Sequence, residues 1–163
     1  MAIEIERRFL TAGADWRRGA EASRKIRQAY LAVTPAASVR VRIADDAAAA
    51  LTIKSGKAEI ERAEFEYPIP VADAEELMAM RTGAVIEKQR YLLIVGGLRW
   101  EIDVFSGALA GLVIAEIELN EKDQEFERPD WLGEEITDDG RYANASLAVN
   151  GLPDASIKPG EHS

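Results

Sequence analysis

Cysteine is absent from this chain, and its one histidine, His162, is the penultimate residue. Disulfides and thiolate metal sites are therefore excluded, and no histidine-based acid–base mechanism is available. Any metal must be held mainly by carboxylates, which points to hard cations such as Mg²⁺, Mn²⁺ or Ca²⁺. Long hydrophobic runs are missing as well. No stretch approaches a membrane span, and the opening Met-Ala-Ile-Glu-Ile-Glu lacks a basic start followed by an apolar run, so a cytoplasmic protein with no membrane partner is expected. Positive charge is in deficit, with 20 Lys+Arg against 29 Asp+Glu and a formal net charge of −9. That balance argues against binding a nucleic-acid duplex through a broad basic surface, while leaving room for a local basic site.

What the chain does have is a globular composition, 47% hydrophobic and 30% charged over 163 residues, which is enough for one core. Residues 1–150 read as a single domain, with no linker or repeat. Residues 151–163, polar and containing Pro and Gly, read as a disordered tail.

Strict alternation of charged and apolar residues dominates the domain. In an extended strand Glu4, Glu6 and Arg8 share one face, while Ile3, Ile5 and Phe9 share the other. The same pattern returns in Val39-Arg40-Val41-Arg42-Ile43, in Leu51-Thr52-Ile53-Lys54 and in Arg62-Ala63-Glu64-Phe65-Glu66-Tyr67. It recurs with Lys88 and Arg90, with Glu101 and Asp103 opposite Trp100 and Ile102, and with Glu116 and Glu118 opposite Ala115 and Ile117. Turn signals separate the strands: Asp45-Asp46, Ser55-Gly56-Lys57, Pro68 and Pro70, and a Gly96-Gly97 hairpin. Thr11 to Ala22 reads as a loop or one helical turn. A helix is predicted from a cap at Asp73 to about Arg81, a short turn at Pro129-Asp130-Trp131-Leu132, and a closing helix over 138–149, with no strand beyond Asn120.

About eight such strands tend to close, which removes exposed edges. Apolar faces turned outward would meet the helices, and charged faces would line the inside. Ionised groups in that number cannot make a dry core, so a wet lumen is expected. Bases of fixed geometry beside paired carboxylates suit a polyanion and its divalent cations.

These motifs, in order, resemble the CYTH or triphosphate tunnel metalloenzyme superfamily over about residues 2–150: Glu4-x-Glu6-x-Arg8, Val-Arg40-Val-Arg42, Leu-Thr-Ile-Lys54, Arg62-x-Glu64-x-Glu66, Glu87-Lys88-x-Arg90-Tyr91, Trp-Glu101-Ile-Asp103 and Ala-Glu116-Ile-Glu118-Leu. The resemblance implies an α+β fold, an eight-stranded antiparallel closed β-barrel with a few helices packed on the outside. It implies a tunnel for triphosphate-containing small molecules with Mg²⁺ or Mn²⁺. Glu4, Glu6, Glu116 and Glu118 would hold metal, with Glu64, Glu66, Glu101 and Asp103 assisting. Arg8, Arg40, Arg42, Arg62, Arg90, Lys54 and Lys88 would bind phosphate oxygens, and Glu4, Glu6, Arg8 and Lys88 would be the catalytic set. The style of a short bacterial member points to inorganic triphosphate as substrate. Nucleoside or thiamine triphosphate hydrolysis, cyclisation to cyclic AMP, and a non-catalytic polyphosphate-binding module are the alternatives. A homodimer is compatible with the sequence without being dictated by it. One departure stands out: the family usually carries Lys where this chain has Arg8, which keeps the charge but not the compact ammonium.

Overall fold

In the computed structural model, which describes residues 2–56 and 60–153, the alternating stretches all become strands. They are β1 (Ala2–Thr11), β2 (Ala22–Val33), β3 (Ala37–Ala44), β4 (Ala48–Ser55), β5 (Glu61–Ile69), β6 (Thr82–Val95), β7 (Leu98–Phe105) and β8 (Val113–Glu118), followed by β9 (Leu132–Glu135). Two short helices, α1 (Val71–Met78) and α2 (Asn144–Asn150), accompany them. The sheet runs β5-β4-β3-β2-β6-β7-β8-β1, and β1 pairs back onto β5, so eight antiparallel strands close into a barrel. The Gly96-Gly97 turn has φ of +59° and +78°, the left-handed pair that a two-residue hairpin requires. The tail expected to be disordered lies, from residue 154 onward, outside the described residues.

The expectation that strands end at Asn120 is overturned by β9. β1 pairs with β5 only from Ala2 to Ile5, and β9 takes up the vacated edge through Phe9↔Glu135 and Thr11↔Leu132. Leu-Gly-Glu-Glu has no alternation to announce a strand; partner geometry makes it one. Gly133 permits the approach, because a Cβ there would sit 2.7 Å from the Leu10 carbonyl oxygen. Arg7 secures it from outside, donating to Glu135 at 2.8 and 2.6 Å.

The apolar strand faces point outward and are covered in two sectors. Ala74 and Met78 of α1 pack on Ala29, Val41 and Ile43. Trp16, in a short 3-10 turn at Asp15–Gly19, and Phe126 and Trp131 cover Phe9, Leu93, Trp100 and Ile117. α1 begins behind Pro70 rather than at Asp73, which makes no capping hydrogen bond and lies in the first turn, where a negative charge suits the helix dipole. No helix among the described residues is long and apolar enough to cross a membrane.

The closing helix departs from expectation. α2 does not cover the outside; Leu147 and Ala148 cluster with Tyr30, Ile86, Phe105 and Ile114. Those strand residues pair laterally with Arg40, Gln28, Lys88 and Asp103, so they share the inward face. One part of the barrel interior is thus a dry plug, and only the remainder is a polar cavity.

Candidate functional site

Strand register assembles the polar half of the interior. Glu4 lies opposite Arg62, Glu6 opposite Glu118 and Arg8 opposite Glu116, where β1 meets β5 and β8. Across β3, β4 and β5, Ser38, Lys54 and Glu64 form one row, and Arg40, Thr52 and Glu66 the next. Across β6, β7 and β8, Arg90 faces Asp103, and Glu101 faces Glu116. The resulting cavity of about 750 Å³ is lined by Glu4, Glu6, Arg8, Arg40, Arg42, Lys54, Arg62, Glu64, Arg90, Glu101, Glu116 and Glu118. Three candidates do not reach its surface: Glu66 is at the exposed end of its row, and Lys88 and Asp103 are buried behind the wall.

Most of the cations are already matched. Lys54 Nζ donates to both oxygens of Glu4 at 2.9 and 3.1 Å and stands 3.6 Å from Glu64. Arg90 grips Asp103 through Nε at 2.8 Å and Nη2 at 2.9 Å, and adds Glu101 at 3.4 Å and Glu116 at 3.5 Å. Lys88 Nζ donates to Asp103 Oδ2 at 2.7 Å with both side chains at 0% exposure. Arg8 donates from Nε to Glu116 at 3.1 Å and from Nη1 to the Tyr142 carbonyl at 3.0 Å, which leaves Nη2 buried without a partner among the described residues. Arg62 is turned to the Ser55 and Gly56 carbonyls at 3.0 and 3.4 Å.

Arg40 and Arg42 are different. Both rise from the inward face of β3, and neither has a carboxylate within ion-pair distance among the described residues. Arg40 donates from Nη2 to Thr52 Oγ1 at 3.2 Å, and its Nε is buried and unpartnered. Arg42 donates from Nε to Gln28 Oε1 at 2.9 Å. Burial, then repulsion from Arg40 and Arg90, pushes the Arg42 guanidinium down to about 9. Two adjacent cations held in this way form a built receptor for anions.

The carboxylates divide similarly. Burial alone would raise Asp103 and Glu116, but Arg90 with Lys88 holds the first well below its usual range, and Arg8 with Arg90 lowers the second. Glu6 has no basic partner in an ion pair among the described residues. Burial, then Glu116 and Glu4, pushes it up to about 8. Its cross-strand neighbour Glu118 is unpaired too among the described residues, and like charges placed opposite one another are unfavourable until something positive joins them. Lys88 is pushed down to about 7 by burial, with Asp103 working against the shift and Arg90 and Arg42 adding to it.

Residue reasoning missed three polar contributors. Gln28, fully buried, bridges Arg42 to Asn144, whose Oδ1 also accepts from Lys88 at 3.3 Å. Thr52 links Arg40 to Glu66, its Oγ1 donating to Glu66 Oε2 at 3.3 Å. Gln28 could have been flagged as a polar break in the apolar series Ile26-x-Gln28-x-Tyr30. Asn144 gave no signal, because its placement depends on α2 entering the barrel.

The family model of the CYTH domain matches residues 2–147. The chain belongs to the CYTH domain family. As a CYTH protein it is 42% identical over 151 residues to the inorganic triphosphatase of Acetivibrio thermocellus, a match spanning 92% of this chain and 96% of that one. Similarity to the inorganic triphosphatase of Nitrosomonas europaea is 35% over 150 residues, 90% of this chain and 97% of that one. Among solved structures, the inorganic triphosphatase NE1496 superposes on this CYTH domain with a TM-score of 0.67 at 35% identity, covering 92% of this chain and all of that one (100%).

Proposed function

We propose that this chain hydrolyses a phosphoanhydride bond of inorganic triphosphate within the barrel, giving pyrophosphate and phosphate. The observation that carries the reading is the Arg40–Arg42 pair: two guanidinium groups on one wall of the barrel cavity, with no carboxylate among the described residues to neutralise them. Arg8 Nη2 adds a further uncommitted donor. A compact polyanion supplies what these groups lack, and the similarity to two inorganic triphosphatases supports the same substrate class.

A divalent cation, Mg²⁺ or Mn²⁺, fits the acidic side of the cavity. Glu6 and Glu118 are opposite one another and free of basic partners among the described residues, and the raised Glu6 carboxyl marks a place where positive charge is wanted. Among the described residues no three acidic side chains are arranged to hold an ion unaided. That suits Mg²⁺, which is commonly bound by one or two carboxylates together with substrate phosphates and water. Glu4, Glu64, Glu101 and Glu116 would serve from their ion pairs, Asp103 from behind the wall and Glu66 from the exposed end of its row. The cation would supply neutralisation of phosphate charge and a site for orienting water.

The protein's own part is positional and electrostatic. Arg40, Arg42 and Arg8 hold the phosphoryl oxygens, with Lys54, Arg62 and Arg90 at the rim of that set. Lys88, locked onto Asp103, keeps Arg90 oriented from behind. In-line attack by water would need no covalent intermediate.

A second reading, a triphosphate bearing an organic group, is favoured by the apolar mouth formed by Val33, Pro35 and Val149. The deciding experiment is phosphate release from tripolyphosphate, ATP and thiamine triphosphate with Mg²⁺ or Mn²⁺, for the parent protein and for Arg40→Met/Arg42→Met. Tripolyphosphate should be the preferred substrate and the variant should lose at least about a hundredfold in kcat/KM. Equal rates for the two proteins would remove the arginine pair from the site.

A further inference from the structure

A side-chain amide shows no preferred direction by itself, so its orientation follows from neighbours of fixed polarity. Arg42 is such a neighbour for a pair of amides here. Arg42 can only donate, and its Nε lies 2.9 Å from Gln28 Oε1. Gln28 in turn meets Asn144, whose Oδ1 lies 3.3 Å from Lys88 Nζ. Gln28 must therefore turn its NH₂ away from Arg42, and this group meets the same Asn144 oxygen at 3.1 Å. Flipping Gln28 would set its NH₂ against the Arg42 guanidinium, and flipping Asn144 would set its NH₂ against that of Gln28.

The consequence falls on the cavity. Asn144 Oδ1 accepts from two donors, so the Asn144 NH₂ must point elsewhere, and it has no partner among the described residues. Asn144 lines the cavity together with Arg40 and Arg42. A donor fixed in direction, unpaired and facing the same space as two unmatched guanidinium groups is arranged for an acceptor-rich anion.

We propose that Asn144 is a substrate-contact residue, its NH₂ donating to a phosphoryl oxygen, and that Gln28 is the positioning residue that holds Asn144 and Arg42 in register. This rests on the reading of the cavity as a triphosphate site. It also makes that site incomplete without α2: the barrel strands supply the charge, and the helix supplies a neutral donor.

The test compares three variants for tripolyphosphate hydrolysis, each first checked for folding by its melting temperature. Asn144→Ala removes donor and acceptor together. Asn144→Asp keeps an acceptor for Gln28 and Lys88 but turns an oxygen toward the anion. Ser146→Asp puts the same charge on the same cavity wall, outside the amide chain. Asn144→Ala should lower kcat/KM about tenfold or more, the worth of a hydrogen bond to a charged group. Asn144→Asp should fall further than both Asn144→Ala and Ser146→Asp. The proposal is overturned if Asn144→Ala stays within about twofold of the parent, or if Asn144→Asp is no worse than Ser146→Asp. In either case parental turnover of tripolyphosphate leaves the broader reading standing. A parent that neither turns over tripolyphosphate nor gains thermal stability from it removes both.

Discussion

Arg8 Nε donates to Glu116 Oε2 at 3.1 Å, with side-chain exposures of only 8% and 9%. The same guanidinium reaches the Tyr142 carbonyl at 3.0 Å, so it ties β1 both to β8 and to the 3-10 turn that leads into α2. A lysine, the residue the resemblance leads one to expect at this place, has a single nitrogen on a flexible stem and cannot span both acceptors. Arg8→Lys should therefore leave a buried carbonyl unsatisfied and lower the unfolding free energy by about 1–3 kcal/mol in urea denaturation. A loss below about 0.5 kcal/mol would mean that water or a shifted backbone replaces the Tyr142 contact at little cost.

Arg42 shows the opposite relation between stability and function. It is inside the barrel without a carboxylate partner among the described residues, pushed down to about 9 by burial and by Arg40 and Arg90. Replacing a poorly compensated, partly buried charge by an apolar side chain of similar length is often neutral or stabilising. Arg42→Met should raise the melting temperature of the ligand-free protein by several degrees, about 2–4 °C for each kcal/mol in a chain of this size. The stabilisation that tripolyphosphate gives the parent by mass action should largely vanish. A variant that melts lower than the parent and still responds fully to tripolyphosphate would contradict both halves.

Much of this arrangement was legible before any coordinates, for a reason seen in β3. Arg40 and Arg42 alternate with Val41 and Ile43, and a period of two assigns each side chain to a face with no knowledge of neighbours. Periodicity does not say which part of a face will be wet. Ile86 shares its face with Lys88, and Phe105 with Asp103, yet the first of each pair joins the apolar plug. What fills that end is α2, whose Asn-Ala-Ser-Leu-Ala-Val-Asn is too short and too weakly patterned to declare its partner. β9 was hidden for a related reason. Its pairing is dictated by the edge that β5 leaves open on β1, a fact about closure rather than about Leu132–Glu135.

Lys88 and Asp103 form the least exposed ion pair among the described residues, and its pH dependence has a definite sign. Lys88 is pushed from 10.5 down to about 7 by burial, despite Asp103, with Arg90 and Arg42 reinforcing the shift. Between about pH 7 and pH 10.5 the unfolded chain then holds the proton more firmly than the folded one. Its contribution to stability is therefore largest above the unfolded value and is lost as pH falls through about 7. Unfolding free energies of the parent and of Lys88→Met, measured at several pH values across this window, should diverge, with the parent gaining on the variant as pH rises. Parallel curves would show that Lys88 keeps an ordinary ammonium inside the barrel.

Glu6 carries the reverse sign. Burial, then Glu116 and Glu4, raises its carboxyl from 4.5 to about 8, so over that range the folded protein binds a proton that the unfolded chain releases. Its stabilising contribution is complete below about 4.5 and is lost as pH rises toward about 8. Glu6→Gln stays neutral at every pH and removes this term. In metal-free buffer the parent should lose stability relative to Glu6→Gln between about pH 5 and pH 8, read as a narrowing or crossing of the two melting curves. Added Mg²⁺ should restore the parent at the upper end and leave the variant nearly unmoved, because a cation bound by Glu6 must displace its proton and so binds more tightly as pH rises. If Mg²⁺ stabilises both proteins equally at pH 8, the cation is held elsewhere in the cavity and Glu6 is only a crowded carboxyl.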